Sequence, residues 1–219
     1  MSTRNYFIGL ILGFLWTANA MAIEEPKYEV LLSDGPYEIR HYTSILIAET
    51  VVEGDMDEAS NKGFRLIADF IFGNNQVADS LTSEKIAMTA PVTLEPQSAK
   101  ISMTAPVTVE PQSNESDMQT AKLWRVNFVM PSRYTLATIP KPKNSAVNLR
   151  EIPGKHYVAL KYSGFNSVSR VQSKVQETTE WALKRNFKVV GTPQLSRYDP
   201  PWTLPMFRRN EIMLEIEKP

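Results

Sequence analysis

The sequence predicts an α+β fold in which two helices pack on an antiparallel sheet. Most of the chain consists of short apolar or β-branched runs separated by turn sequences, as in strands. Two segments instead have the apolar period of a helix. Each of them follows one run of strands and precedes another, an order that favours antiparallel sheet over a strictly alternating parallel fold.

The composition narrows the class of protein. Of 219 residues, 42% are apolar and 22% are charged, a mixture that supports a hydrophobic core. The 24 basic and 24 acidic residues give a formal charge of zero, so nothing neutralises nucleic-acid phosphates in bulk. The absence of cysteine excludes disulfides, thiolate nucleophiles and cysteine metal sites. The two histidines, His41 and His156, must carry any histidine chemistry.

The first 22 residues have the layout of a secretory signal peptide. Arg4 precedes an apolar run, Tyr6–Trp16, and small residues at Ala18, Ala20 and Ala22 supply sites for cleavage after Ala20 or Ala22. The alternative is an uncleaved membrane anchor, since the stretch is nearly long enough to span a bilayer. The first interpretation predicts a periplasmic or secreted protein, with a single domain over residues 23–219 and no stable membrane span after cleavage.

The strands are predicted in chain order from alternation and β-branched content. The predicted segments are Tyr28–Leu32, Tyr37–Tyr42, Ile45–Val52, Leu123–Met130, Val147–Ile152, Tyr157–Tyr162, Lys188–Val190 and Ile212–Ile216.

The first helix is predicted over Asp55–Phe72, with an apolar stripe and acidic residues at its start, ending at Gly73. The second is predicted over Asn166–Phe187, with Asn166 or Ser167 as its cap.

A duplication lies between the two helices. The segment Ile86-Ala-Met-Thr-Ala-Pro-Val-Thr-Leu-Glu-Pro-Gln-Ser98 recurs almost unchanged at 101–113, an offset of 15 residues. Two copies are too few for a solenoid. We expect one copy to occupy a strand of the sheet and the other to form an added hairpin arm or an exposed loop.

Four pieces of sequence together resemble the SOUL/haem-binding protein family, in order and in approximate spacing. They are Tyr37-Glu-Ile-Arg-His-Tyr42, Ile86-Ala-Met-Thr-Ala-Pro-Val92 with its second copy, Trp124-Arg-Val-Asn-Phe-Val-Met-Pro131, and Tyr198-Asp-Pro-Pro201 followed by Arg208-Arg-Asn-Glu-Ile212. The resemblance extends from about Tyr28 to Ile216. The doubled Met-Thr-Ala-Pro-Val motif and the signal peptide depart from the family's usual pattern.

The resemblance implies a distorted antiparallel β-barrel of two pseudo-symmetric strand-helix-strand halves, with two main helices packed on the sheets. It also implies a hydrophobic cleft that binds tetrapyrrole, with haem as a non-covalent cofactor. The architecture resembles the drug-sensing domains of some bacterial regulators as well, which makes other small apolar ligands possible partners. Fold analogy carries function only weakly.

The candidate iron ligand is His41, at the position where some family members have a histidine proposed to bind haem iron; the alternative is a half-exposed residue at the end of a strand. Met88 and Met103, at matching points of the two copies, are candidates for a second axial ligand or for core packing.

The candidate propionate partners are Arg40 and Lys62, with Arg208 and Arg209 as further possibilities. For Arg208-Arg209-Asn210 we favour a structural role, tying the preceding proline-rich loop to the last strand. The first helix offers Phe64, Ile67 and Ile71 as an apolar wall for the macrocycle, although such a stripe is core in most proteins.

No catalytic motif is present: the chain has no nucleophile elbow, zinc-protease helix, P-loop or dinucleotide fingerprint. The sequence therefore predicts a binding protein and not an enzyme. The leading hypothesis is an exported protein that buffers, carries or scavenges tetrapyrrole. The alternative is an interaction module, or a binder of another small apolar ligand, in which the protein partner is unknown and haem has no role.

Overall fold

The fold is one curled antiparallel sheet with two helices, seen in a computed structural model that describes residues 23–77, 80, 82–97 and 118–219. The strands are β1 (Tyr28–Asp34), β2 (Tyr37–Tyr42), β3 (Ile45–Glu53), β4 (Asn75–Gln76), β5 (Val92–Gln97), β6 (Leu123–Val129), β7 (Lys141–Pro142), β8 (Asn148–Ile152), β9 (Lys155–Tyr162), β10 (Gln194–Arg197) and β11 (Asn210–Ile216). The helices are α1 (Met56–Ile71) and α2 (Val168–Lys184), and a short 3₁₀ helix covers Pro205–Phe207.

The order of the strands reveals two related halves. Nine strands lie in the order β1-β2-β9-β11-β10-β5-β6-β3-β8, while β4 and β7 pair separately. Each half contributes two strands, a helix and two more strands, namely β2, β3, α1, β5, β6 and then β8, β9, α2, β10, β11. Exchanging the corresponding strands of the halves reverses the order from β2 to β8, so a pseudo-twofold axis passes between β10 and β5. The predicted α+β barrel of two pseudo-symmetric halves is confirmed, as an open half-barrel in which the described edge strands β1 and β8 do not pair.

Local sequence explains both helices. The side chain of Asp55 caps α1 by accepting hydrogen bonds from the backbone N–H groups of Asp57 and Glu58, and Gly73 follows the helix with a φ of +122°. Ser167 caps α2. The predicted stripes face the core, with the buried residues Met56, Ala59, Gly63, Ile67, Phe70, Ile71, Val171, Val175, Thr178 and Ala182. No helix in the described ranges is long and apolar enough to cross a bilayer.

Alternation along the strands separates two faces of the sheet. The helix face carries the hydrocarbon core, in which the largest buried side chains are Trp124, Phe70 and Phe128. Packing on this face is close: a Cβ added to Gly63 of α1 would lie 2.5 Å from Val126 Cγ2 of β6. The opposite face, here called the open face, carries a smaller cluster of Tyr28, Tyr42, Tyr157, Ala159 and Met213 among many polar side chains.

One predicted strand is absent from the structure, and one strand of the large sheet was not predicted. Lys188–Val190 is not a strand, because only Val189 forms an isolated bridge, to Ile216. The segment Gln194–Arg197 forms β10. The sequence does not predict this strand, because Leu195 is its only apolar residue. The first repeat copy supplies β5, between β10 and β6, as expected for one copy. The signal segment and the second copy, including Met103, lie outside the described residues, so those predictions stand as predictions.

A buried ion pair joins β2 to β11 across the intervening strand β9. The guanidinium of Arg40 donates to both carboxylate oxygens of Glu211, at 2.6 and 3.0 Å, and both side chains are fully buried. Arg40 also donates to Glu38 at 2.8 Å and to the hydroxyl of Tyr42 at 3.0 Å. All of these groups lie on the open face.

Glu211 receives two further donors. The hydroxyl of Tyr198 lies 2.8 Å from one carboxylate oxygen, and Arg209 Nε lies 3.0 Å from the other. Burial raises the pKa of Glu211, but Arg40, Arg209 and Tyr198 together outweigh burial and hold that pKa below its usual range. The carboxylate is therefore charged and fully hydrogen-bonded inside the protein.

We predict that Glu211→Gln lowers the free energy of unfolding at neutral pH by about 3 kcal/mol, because it leaves Arg40 partly uncompensated in the interior. A carboxyl whose folded-state pKa is lowered stabilises the fold above its ordinary pKa, and this contribution disappears as the pH falls. The difference between the wild type and the variant should therefore shrink as the pH falls below about 5. Denaturant unfolding at several pH values measures it, with Glu29→Gln on the exposed side of β1 as the control. A difference independent of pH would contradict the assignment.

Candidate functional site

The open face encloses a cavity of about 260 Å³ that communicates with solvent. Its lining comes from every strand of the large sheet except β1, which is possible only because the sheet curls around it. Pro26 and the loop residues Pro153, Gly191 and Thr192 complete the wall. The cavity is therefore a product of the whole barrel and not of one local motif.

Aromatic and apolar side chains form one wall of the cavity. Tyr42 and Tyr157 meet edge to face with ring centroids 5.7 Å apart, and Met213 is nine-tenths buried beside them. Burial raises the pKa of Tyr42 to about 12, and burial also raises the pKa of Tyr157 above its usual value. Both phenols are therefore neutral at physiological pH. Ile45 and Val129 add aliphatic surface from β3 and β6.

Charged side chains form another part of the lining, here called the charged wall. Arg150 of β8 lies 2.7 Å from Glu49, and Lys155 of β9 lies 2.5 Å from Glu215. Arg125 of β6 is held more loosely, because its closest distances to Glu49 and Glu95 are 3.5 and 3.6 Å.

The Nε atom of Arg125 is buried and makes no hydrogen bond to the described residues, although a carboxylate oxygen of Glu49 lies 3.5 Å from it. A buried donor without an acceptor is energetically costly, so this atom marks a place where an acceptor would be stabilised. Arg125 and Arg150 both line the cavity, next to Asn127 and Thr93. The charged wall is consequently suited to hold an oxygen-rich, anionic group of a ligand.

The structure places His41 on the other face of the sheet. Its ring stacks on that of His156, with centroids 4.5 Å apart, and both side chains are half-buried on neighbouring strands. Burial and the neighbouring His41 lower the pKa of His156. Because His41 and Arg40 are adjacent in β2, their side chains point to opposite faces, and the histidine pair is separated from the cavity by the sheet.

Arg40 lies on the open face, but its guanidinium is already engaged. It donates to Glu38, Tyr42 and Glu211 and stacks over the ring of Tyr28 at 4.3 Å. A propionate would have to displace one of these partners.

The candidates on α1 are dispersed. Ile67 and Ile71 are fully buried in the core, where they contact protein and leave no surface for a ligand in this conformation. Phe64 is partly exposed beside the ring of Phe128, with centroids 5.6 Å apart. Lys62 is half-exposed, donates to the backbone carbonyl of Glu53 at 3.1 Å and lies near Glu58. Met88 is half-buried against the core. The predicted cofactor residues thus do not converge on one pocket in the part of the chain that the structure describes.

The structural role predicted for Arg208-Arg209-Asn210 agrees with the contacts. Arg208 donates to the backbone carbonyls of Thr203 and Pro201, and the backbone N–H of Arg209 donates to Asp199. The side chain of Asn210 donates to the carbonyl of Gly164. The segment ties the proline-rich loop to β11.

Sequence reasoning missed the cavity residues, chiefly Arg125, Arg150 and Tyr157. A signal was present in β6, where Trp124, Val126 and Phe128 alternate with Arg125 and Asn127. That alternation distinguishes a core face from a polar face, but it does not tell which other strands share the polar face.

Within the described ranges no three histidine, aspartate or glutamate side chains converge in a way that would hold a metal ion. The arrangement combines an aromatic wall, a charged wall that includes Arg125, and an opening to solvent. Its chemistry is that of a binding site for a small, partly apolar ligand that carries acidic groups.

Several solved structures share the fold. The C-terminal domain of EcmrR aligns with a TM-score of 0.56 at 12% identity, covering 88% of this chain and 99% of that domain. A hydrolase from Listeria innocua aligns with a TM-score of 0.52 at 11% identity, covering 85% of this chain and 94% of the other. At such identities the likeness concerns the fold alone. No curated protein sequence matches the chain.

The sequence profile of one family matches in two ranges, 23–98 and 95–215, which meet at the duplicated segment. The matched family is described as SOUL heme-binding protein, and the two ranges together span nearly all of the described fold. The chain therefore belongs to the SOUL heme-binding protein family.

Proposed function

We propose that this protein is an exported carrier or scavenger that binds a tetrapyrrole at the cavity of the open face. The observation that carries the proposal is the pairing of the tyrosine and methionine wall with Arg125, whose buried Nε makes no hydrogen bond to the described residues. A porphyrin edge offers both complements, a flat apolar ring and carboxylates. The family's description as heme-binding supports the same ligand class.

The size of the cavity sets the mode of binding. Pockets for drug-sized ligands usually measure about 300–1,000 Å³. A cavity of about 260 Å³ accepts one edge of a macrocycle, with the remainder at the open mouth. In this mode the carboxylates meet Arg125 and Arg150, and the ring lies along Tyr42 and Tyr157.

Bound haem would supply an iron centre, but no histidine is among the described residues that line the cavity. Met213 and the two tyrosines remain as possible donors, and the raised pKa values of the phenols disfavour phenolate ligation. The proposal is therefore recognition through the ring and the carboxylates. His41 as an iron ligand is the competing arrangement, on the far face of the sheet.

We predict that the folded unit, residues 23–219, binds hemin and metal-free protoporphyrin IX with similar affinity. Arg125→Gln should weaken both by about tenfold or more, the value of a charge-assisted hydrogen bond. Thr192→Trp, in the loop at the cavity mouth, should block both by bulk. Absorbance titrations measure the affinities, and thermal melting verifies that each variant is folded.

The matched controls are Arg133→Gln, an exposed arginine outside this cavity, and His41→Ala. Neither should change the affinity. A protein that binds hemin far more tightly than protoporphyrin, and loses that preference in His41→Ala, would place the ligand at the histidine pair. Full affinity in both Arg125→Gln and Thr192→Trp would remove the ligand from the cavity.

Export rests on the sequence of the first 22 residues, and the start of the family match at residue 23 supports it. The carbonyl of Glu24 accepts from Ala90 N–H and its carboxylate accepts from Ser132 N–H. Cleavage after Ala20 or Ala22 would leave these contacts intact.

We predict that expression of the full chain in a cell with a secretory pathway yields a protein that starts at Met21 or Ile23, found outside the cytoplasm. Intact mass measurement after cell fractionation identifies the terminus. A full-length protein in the membrane fraction would favour the uncleaved anchor.

A further inference from the structure

The loop between β10 and β11 carries an exposed apolar cluster that neither the cavity nor the core uses. The exposed fractions are 83% for Trp202, 58% for Leu204, 65% for Met206 and 70% for Phe207. Phe165, which precedes α2, is 64% exposed, and the loop is held to its neighbour Gly164 by a hydrogen bond from Gly164 N–H to the carbonyl of Pro205. Contiguous apolar surface of this kind marks a site of interaction.

The backbone of this loop is partly hydrogen-bonded within the protein. Prolines at 200, 201 and 205 have no N–H to satisfy, and the N–H groups of Thr203 and Phe207 bond to carbonyls inside the loop. The guanidinium of Arg208 donates to the carbonyls of Pro201 and Thr203, at 2.6 and 2.8 Å. The described part of the chain supplies no acceptor for the N–H groups of Trp202, Leu204 and Met206. These groups need water or headgroups as partners, which restricts the loop to the interface of a bilayer, because hydrocarbon offers none.

The charged side chains beside the loop that have no ion-pair partner in the described part of the chain are basic. No charged residue lies between Asp199 and Arg208. Asp199 is engaged by the N–H of Arg209. Arg208 lies over the ring of Phe165, and Arg170 donates to the carbonyl of Ser163. Neither forms an ion pair with a carboxylate in the described part of the chain. Two uncompensated cations behind an apolar tip are complementary to anionic lipid headgroups.

We propose that the loop 200–207, together with Phe165, is a lipid-binding surface that inserts its apolar side chains into the interface of an anionic bilayer. Tryptophan and arginine are suited to this depth, since the ring of the first is amphipathic and the second reaches the headgroups. The contact is peripheral and involves no membrane span.

The tryptophans make a direct test possible. In residues 23–219, Trp124 and Trp181 are buried and Trp202 is exposed, so a shift of the fluorescence towards the blue on adding vesicles reports Trp202. Vesicles of phosphatidylcholine and phosphatidylglycerol in equal amounts should produce the shift and carry the protein in flotation, and pure phosphatidylcholine should bind less.

The variant Met206→Ser/Phe207→Ser should reduce vesicle binding by about tenfold or more, because two inserted side chains are lost. The matched control, Leu136→Ser/Leu183→Ser, removes two exposed apolar residues elsewhere and should bind as the wild type. Arg170→Gln should reduce binding to the anionic vesicles by about fivefold and leave binding to pure phosphatidylcholine unchanged.

The absence of a shift with either vesicle, or equal loss in the loop variant and its control, would overturn the proposal. So would dimerisation of the wild type through this loop without vesicle binding, shown by analytical ultracentrifugation, since the occupant would then be a second copy. The test is independent of tetrapyrrole, because the loop variant retains the cavity.

Discussion

The ion pair between Arg40 and Glu211 is the constraint around which the open face is organised. Two fully buried charges on strands separated by β9 must remain paired, because either alone in the interior would be strongly destabilising. Their pairing therefore holds β2, β9 and β11 in one register. Arg40 also donates to the hydroxyl of Tyr42, which lines the cavity, so the same interaction positions one wall of the candidate site.

The two faces of the sheet differ in composition and in packing. The helix face is filled with hydrocarbon and packed against α1 and α2, which leaves little room for a ligand. The open face is polar and partly uncovered, and its remaining apolar groups, Tyr157 and Met213, adjoin the loosely held Arg125. A ligand with one apolar and one anionic side suits this face, and the duplicated segment reaches it through Thr93 and Glu95 of β5.

Helices and strands that depend on local sequence signals, such as a helix cap or an apolar stripe, could be predicted from the sequence. The stripe and the Asp55 cap identify α1, and the motif Tyr37–Tyr42 coincides with β2. By contrast, His41 is predicted as an iron ligand because of its imidazole. A single sequence does not show which face of β2 is open. Arg40 and His41 are neighbours in sequence and lie on opposite sides of the sheet. The cavity could not be predicted because strands from both halves build it, through pairings such as β5 with β10 that leave no trace in local sequence.

The most direct test of the tetrapyrrole site uses the methionine methyl groups. Met213 lines the cavity, Met88 packs on the core side and Met206 lies in the exposed loop. In residues 23–219 labelled with ¹³C at the methionine methyls, diamagnetic zinc protoporphyrin IX shifts the resonances of methyls beneath its ring. A shift of Met213, with Met88 and Met206 unchanged, is the result expected for binding at the open face. A shift of Met88 or Met206 with Met213 unmoved would contradict it.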